Sequence, residues 1–174
     1  MNKRHSFVIQ NTIFGIFVGA SFVLTSYLFF QSGQSVCLNQ QLNNVIMLLS
    51  IAGAFIGTRK YREEQLGGII SFGKALGSCI YILSIASAIY AIYTYLLFQA
   101  YPELQENYLQ TMLSILEEVY KGIPELETMK TIISSLITSG IIAISEFFNK
   151  ILTGFMYSLL LALILRRKAA INHF

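Results

Sequence analysis

The chain has no aspartate and no tryptophan, two prolines, two cysteines and only 12% charged residues across 174 positions. Each scarcity removes a class of protein. So few charges beside 55% apolar residues lie far from the balance of an ordinary soluble domain. Aspartate is missing, and the two histidines, His5 and His173, sit near opposite ends with no third ligand close in sequence. No nucleophile–base pair or metal-ligand cluster can be assembled from the pattern, so neither metal nor cofactor is expected. Cys37 falls in an outer loop and Cys79 near the inner end of the third apolar run. That separates them by roughly 20 Å or more across a ~30 Å hydrocarbon core, whereas bridged Cα atoms lie within about 7 Å. Both are expected to be free thiols. The net charge of +3 belongs to local basic clusters and does not describe a nucleic-acid surface.

What the chain does have is long apolar runs separated by basic residues. Lys3 and Arg4 precede the first run. Arg59, Lys60, Arg62 and Lys74 follow the second, and Arg166, Arg167 and Lys168 follow the last. Basic residues in short loops remain cytoplasmic, so the pattern predicts one integral membrane domain, residues 1–174, threaded four times with both termini cytoplasmic. In lipid the core of such a domain is helix against helix. The fold class expected is therefore all-α: a four-helix membrane bundle with an outer amphipathic helical hairpin.

The first span is predicted over residues 7–30, a length that crosses the bilayer with some tilt. Its apolar core is longer than that of a signal peptide, and Tyr27-Leu28-Phe29-Phe30 offers no small-residue cleavage site, so a retained helix is expected. The second span, residues 42–58, is short and is closed by Arg59-Lys60-Tyr61-Arg62. Gly67-Gly68 then breaks helix, and Ser71 is placed to cap a third span over residues 75–98. Tyr90, Tyr93, Tyr95 and Tyr101 crowd the outer end of that span, as in an interfacial aromatic belt.

Pro102 opens a different kind of helix. Leu104, Tyr108, Met112, Ile115, Val119 and Ile123 recur every three or four residues, opposite Glu103, Glu106, Gln110, Ser114, Glu117 and Lys121. The pattern is amphipathic and too polar to span. Gly122 ends it, and Pro124 suits the first turn of a second helix. Counting inward from Arg166 places the fourth span at residues 147–165. Residues 102–145 are left as an outer hairpin whose two arms, 103–121 and 124–145, are expected to set their apolar faces together.

Three glycine pairs stand four residues apart: Gly15/Gly19, Gly53/Gly57 and Gly73/Gly77. Gly154, Ser158 and Ala162 extend the pattern in the fourth span. Such spacing lets helix backbones approach closely, either inside one bundle or across a dimer face. Packing within the bundle is the expected use. Glu146 and Lys150 form an i,i+4 pair beside the fourth span. An acid inside a bundle would be a candidate proton or cation relay, but the predicted position is the outer interface, where a hydrated structural pair is expected. Gln10, Asn11, Asn43 and Asn44 are placed at span ends, bonding headgroups or backbone. Gly68-x-x-Ser71-x-Gly73-Lys74 lacks the glycine spacing and the preceding strand of a phosphate loop.

Two short spans, a basic loop ending Gly68-Ile69-Ile70-Ser71-Phe72-Gly73-Lys74-Ala75, a tyrosine-rich third span and an acidic outer segment occur in that order. The chain thereby resembles, over nearly its whole length, an uncharacterised bacterial family of small four-helix inner-membrane proteins. The resemblance implies the bacterial inner (cytoplasmic) membrane as compartment. Some members are encoded beside polyprenyl-phosphate glycosyltransferases, which implies an accessory role in envelope or lipid-linked sugar metabolism. The function expected is that of a non-enzymatic membrane partner or scaffold. Its partners would be the lipid bilayer and either another membrane protein or a second copy, with no nucleic acid. The alternative is a small transporter or channel subunit, which would need a polar path through the bilayer.

Overall fold

Six helices make up the regular structure of the described residues in a computed structural model. They are α1 (Lys3–Gln31), α2 (Gln40–Gln65), α3 (Phe72–Ala100), α4 (Pro102–Val119), α5 (Leu126–Leu136) and α6 (Ser139–Leu165). Residues 3–36 and 38–167 are described, with side chains from Ser6 onward. Cys37, Lys168 and His173 lie outside the described residues, as do the side chains of Lys3, Arg4 and His5. Four of the helices, α1, α2, α3 and α6, are long and apolar enough to cross a membrane. The chain is a multi-pass membrane protein.

Local chemistry sets most of the boundaries. Asn39 caps α2 by accepting hydrogen bonds from the backbone N–H groups of Gln41 and Leu42 at 2.9 and 3.1 Å. Gly67 and Gly68 end the α2 turn at φ +62° and +84°, a region closed to most side chains. Ser71 stands before α3 but makes no side-chain capping bond. Pro102 occupies the first turn of α4, and Gly122, at φ +89°, makes the turn towards α5.

Two boundaries differ from those expected. The second helix does not stop at Thr58, the expected end of its span, because Arg59 pairs with Glu63 at 3.0 Å and Lys60 with Glu64 at 3.7 Å, each one helical turn on. These pairs carry α2 helically beyond its apolar stretch. The fourth long helix begins at Ser139, well before residue 147, so 139–145 is not part of a hairpin arm. The break lies at Ile137–Thr138, where Ile137 is extended and Thr138 accepts from Ile141 N–H at 3.3 Å. Gln105 fastens the break by donating to Ile137 C=O at 3.2 Å and accepting from Ser139 Oγ at 2.9 Å.

α3 is the central helix and packs on α1, α2, α4 and α6. Gly15 lies against Ile85 and Gly19 against Ile89, so α1 and α3 run in the same direction. α2 runs antiparallel to both, with Gly57 on Phe14 and Thr58 on Ser78. α6 also opposes α3, since Gly154 meets Leu83 and Ile142 packs with Phe98. This threading brings Arg59, Lys60, Arg62, Lys74, Arg166 and Arg167 to one end. It brings residues 32–36 and 38–39 and the α4–α5 segment to the other.

Asn11 is not at an interface with headgroups. It is fully buried on the α1 face that carries Gly15 and Gly19, and its Oδ1 accepts from Ser78 Oγ at 2.8 Å. Thr58 joins the same network by donating to Ser78 at 3.0 Å and lying 3.2 Å from the Cys79 sulfur. The hairpin also departs from expectation. α5 buries no residue, and Ile115 and Leu136 are 46% and 57% exposed, so the apolar faces are not closed on each other. The two arms meet through Lys130, which bridges Glu117 at 2.6 Å and Glu127 at 2.8 Å. Hydrogen bonds donated to these two carboxylates raise the Lys130 ammonium above its ordinary pKa.

Arg62 is more than a basic stop. It is 5% exposed and donates to Leu165 C=O at 3.1 Å, neutralising the open carbonyl end of α6. Ile70 and Arg167 exchange two backbone hydrogen bonds beside it, at 3.2 and 3.0 Å. Arg62→Ala is expected to lower stability by about 1.5–3 kcal/mol, the worth of a charge-assisted hydrogen bond. It should also speed amide hydrogen exchange at Arg166 and Arg167. Unchanged exchange there would show that the guanidinium does not hold the α6 terminus.

Candidate functional site

Among the described residues, the one close carboxylate–ammonium pair packed between the long helices is formed by Glu146 and Lys150. α6 is helical through both residues, so the i,i+4 spacing stacks them on one face. Lys150 Nζ lies 2.9 Å from Glu146 Oε2, and the two side chains are 9% and 19% exposed. The pair is therefore largely enclosed by protein, unlike the hydrated interfacial pair expected. Two other helices enclose it. Lys150 donates to Asn43 Oδ1 of α2 at 2.8 Å, and its ammonium sits 5.4 Å from the centre of the Tyr90 ring of α3. Three N–H donors thus meet a carboxylate, an amide oxygen and an aromatic face, which satisfies the ammonium without water.

Cavities flank the pair on both sides. A cleft of about 170 Å³ between α2 and α6 is lined by Asn43, Ser50, Asn149, Lys150, Thr153 and Tyr157, among others. On the other side, a chamber of about 10 Å³ is bounded by Ser26, Tyr90, Thr94, Tyr108 and Glu146. That volume is close to the space one water needs. Chemically, the arrangement is a neutral clamp joining α2, α3 and α6, with hydrogen-bonding walls on both sides. Among the described residues, no group of three His, Cys or Glu side chains gathers to hold a metal ion.

The glycine pairs divide by position. A Cβ at Gly15 would come 2.6 Å from Ile85 Cβ and 3.0 Å from the backbone oxygen of Ile82. At Gly19 it would lie 3.1 Å from Ala86 Cα, and at Gly57 2.7 Å from Ile82 and 2.9 Å from Phe14. At Gly53 it would overlap Val18. Gly154 is closed by Leu83 at 2.8 Å, with Ser158 and Ala162 fully buried on the same helix. Gly73 and Gly77 differ, because nothing lies within 4 Å of either added Cβ. Helical spacing puts Gly77, Ser84, Ala88 and Ala91 on one face of α3, and none of the four is buried.

Sequence reasoning singled out Glu146 and Lys150 but missed Asn43 and Tyr90 as their partners. The sequence pattern places Asn43 at a span end, bonding headgroups or backbone, and Tyr90 in an aromatic belt. A polar residue in the first turn of an apolar helix was the available signal for Asn43. Its partner, 107 residues away, left no local trace.

A family model described as a protein of unknown function, DUF4199, matches residues 12–167. No curated protein and no solved structure gave a match.

Proposed function

The chain belongs to the DUF4199 family of unknown function, and we propose that it is a non-enzymatic partner or scaffold of a bacterial inner membrane. In this reading α1, α2, α3 and α6 form a four-helix membrane bundle with both termini cytoplasmic, and α4 and α5 lie outside. The gathering of Arg59, Lys60, Arg62, Lys74, Arg166 and Arg167 at one end supports that orientation. The observation that carries the association reading is the α3 face of Gly73, Gly77, Ser84, Ala88 and Ala91. Small residues in lipid admit a second helix at close range, and among the described residues nothing lies within 4 Å of a Cβ added at Gly73 or Gly77. The expected occupant is a helix of another membrane protein or of a second copy. An accessory role in envelope or lipid-linked sugar metabolism fits such a partner.

Two measurements test the reading. In a chain with Cys37 and Cys79 replaced by alanine, a cysteine at Gln34 should react with an impermeant reagent on intact cells, and one at Lys74 should not. The reverse pattern overturns the orientation. Cross-linking in native membranes, read by mass spectrometry, should trap one stoichiometric neighbour of α3. Gly77→Leu should lose that neighbour while leaving the melting temperature unchanged. A cross-linked product that persists in Gly77→Leu places the contact elsewhere.

A transporter or channel subunit is the second reading, favoured by the position of the Glu146–Lys150 pair between a 170 Å³ cleft and a 10 Å³ chamber. Solute flux in reconstituted vesicles that Glu146→Gln abolishes, at unchanged protein level, would replace the scaffold reading.

A further inference from the structure

A second groove opens between α1 and α2 at the basic end, with a volume of about 250 Å³. Its polar wall holds two unusual groups. Ser6 is 6% exposed, yet among the described residues its hydroxyl has no hydrogen-bond partner, and the Gln10 Oε1 atom is likewise buried and unpartnered there. Backbone and side-chain polar groups in a membrane protein are normally satisfied, because lipid offers no water to complete them. Beside them, Lys60 Nζ and Glu64 Oε1 face each other at 3.7 Å, and each side chain is about half exposed (52% and 51%). Gln10 Nε2 donates to Glu64 Oε2 over 3.4 Å, which leaves the buried Oε1 without a donor. The rest of the groove is apolar. Phe14 lies under the Lys60 ammonium at 5.8 Å, and Ile9 and Ile13, 45% and 47% exposed, continue along α1 away from the charged end.

An occupant that completes this groove needs four features. It needs an anionic acceptor for Lys60, and N–H donors for Gln10 Oε1 and Glu64. It must be close to neutral, because the wall carries one cation and one anion. It also needs an apolar tail to lie on Ile9 and Ile13. We propose that the groove is a binding site for a phosphoethanolamine lipid, phosphate on Lys60, ammonium on Glu64 and Gln10, acyl chain along Ile9 and Ile13. A phosphocholine headgroup has the same charges but no N–H to donate. A phosphoglycerol headgroup lacks the ammonium and sets a net negative charge beside Glu64. The site stands independently of whether the protein scaffolds or transports.

The test is competition for the full-length protein in detergent. Phosphatidylethanolamine, phosphatidylcholine and phosphatidylglycerol with identical acyl chains are supplied in equal amounts, and bound lipid is counted by native mass spectrometry. Phosphatidylethanolamine should be retained about tenfold over each of the others, as one charge-assisted hydrogen bond allows. Lys60→Gln and Glu64→Gln should each erase most of that preference, while Thr111→Val on α4 leaves it intact. A second measurement needs no variant: the wild-type chain should melt at a higher temperature in bicelles containing phosphatidylethanolamine than in phosphatidylcholine alone. Equal retention of the three lipids overturns the proposal. So does preference for phosphatidylglycerol, a phosphatidylethanolamine preference that survives both charge substitutions, or identical melting in the two bicelles.

Discussion

Lys150→Leu is expected to destabilise the protein by about 3–5 kcal/mol, the cost of leaving a buried charge without its partner. Glu146 is 19% exposed and Lys150 is 9% exposed, so neither is free to take up bulk water when the other is lost. The same change also leaves Asn43 Oδ1 and the Tyr90 ring without the ammonium they face. The decisive comparison is the double variant. Glu146→Leu together with Lys150→Leu removes both charges, so it should recover most of the loss and unfold later than Lys150→Leu alone. Asn43→Leu keeps the pair but removes one of three partners, and should fall between wild type and Lys150→Leu. Equilibrium unfolding in bicelles would measure all four chains. If Lys150→Leu costs less than about 1 kcal/mol, the pair behaves as a hydrated surface bridge and the clamp joining α2, α3 and α6 is wrong.

Leucine at Gly15 or Gly57 should be among the most damaging changes available, whereas leucine at Gly77 should leave folding unaltered. At Gly15 even a methyl group would lie 2.6 Å from Ile85 and 3.0 Å from the Ile82 carbonyl oxygen. The oxygen belongs to helix backbone and moves only if α3 moves. Gly57 meets Ile82 and Phe14 from a third helix, so a larger side chain there separates α2 from both α1 and α3. Overpacking of this kind costs about 1–3 kcal/mol per site. Gly15→Leu/Gly57→Leu should therefore fail to accumulate in membranes. Gly77 has open space around it, and its replacement tests association rather than stability. Equal accumulation of all three variants would show that the helix contacts around α3 are looser than this packing implies.

Much of the fold was already determined by the sequence. Four apolar lengths, the Gly67-Gly68 break, the Pro102 start and the Gly122 turn follow from hydrophobic length and backbone chemistry, both of which act within a few residues. Helices α1 and α3 accordingly cover residues 7–30 and 75–98, running about one turn longer at most at their described ends. The nearness of Glu146 to Lys150 was also legible, because i,i+4 spacing on a helix needs no third element.

Only the tertiary structure decided the rest. α2 ends at Gln65 because charged i,i+4 pairs sustain helix after the apolar run has ended, so span length and helix length separate. The break at Ile137–Thr138 has neither glycine nor proline and depends on Gln105, more than thirty residues away. Asn11 looks like an interfacial residue until Ser78, 67 positions later, arrives to donate to it. The three glycine pairs are equivalent by spacing, yet two are closed by neighbouring helices and one is open. Periodicity tells which residues share a helix face. Which face meets another helix is set by packing between segments far apart in sequence, and that packing determined both the enclosure of the ion pair and the open face of α3.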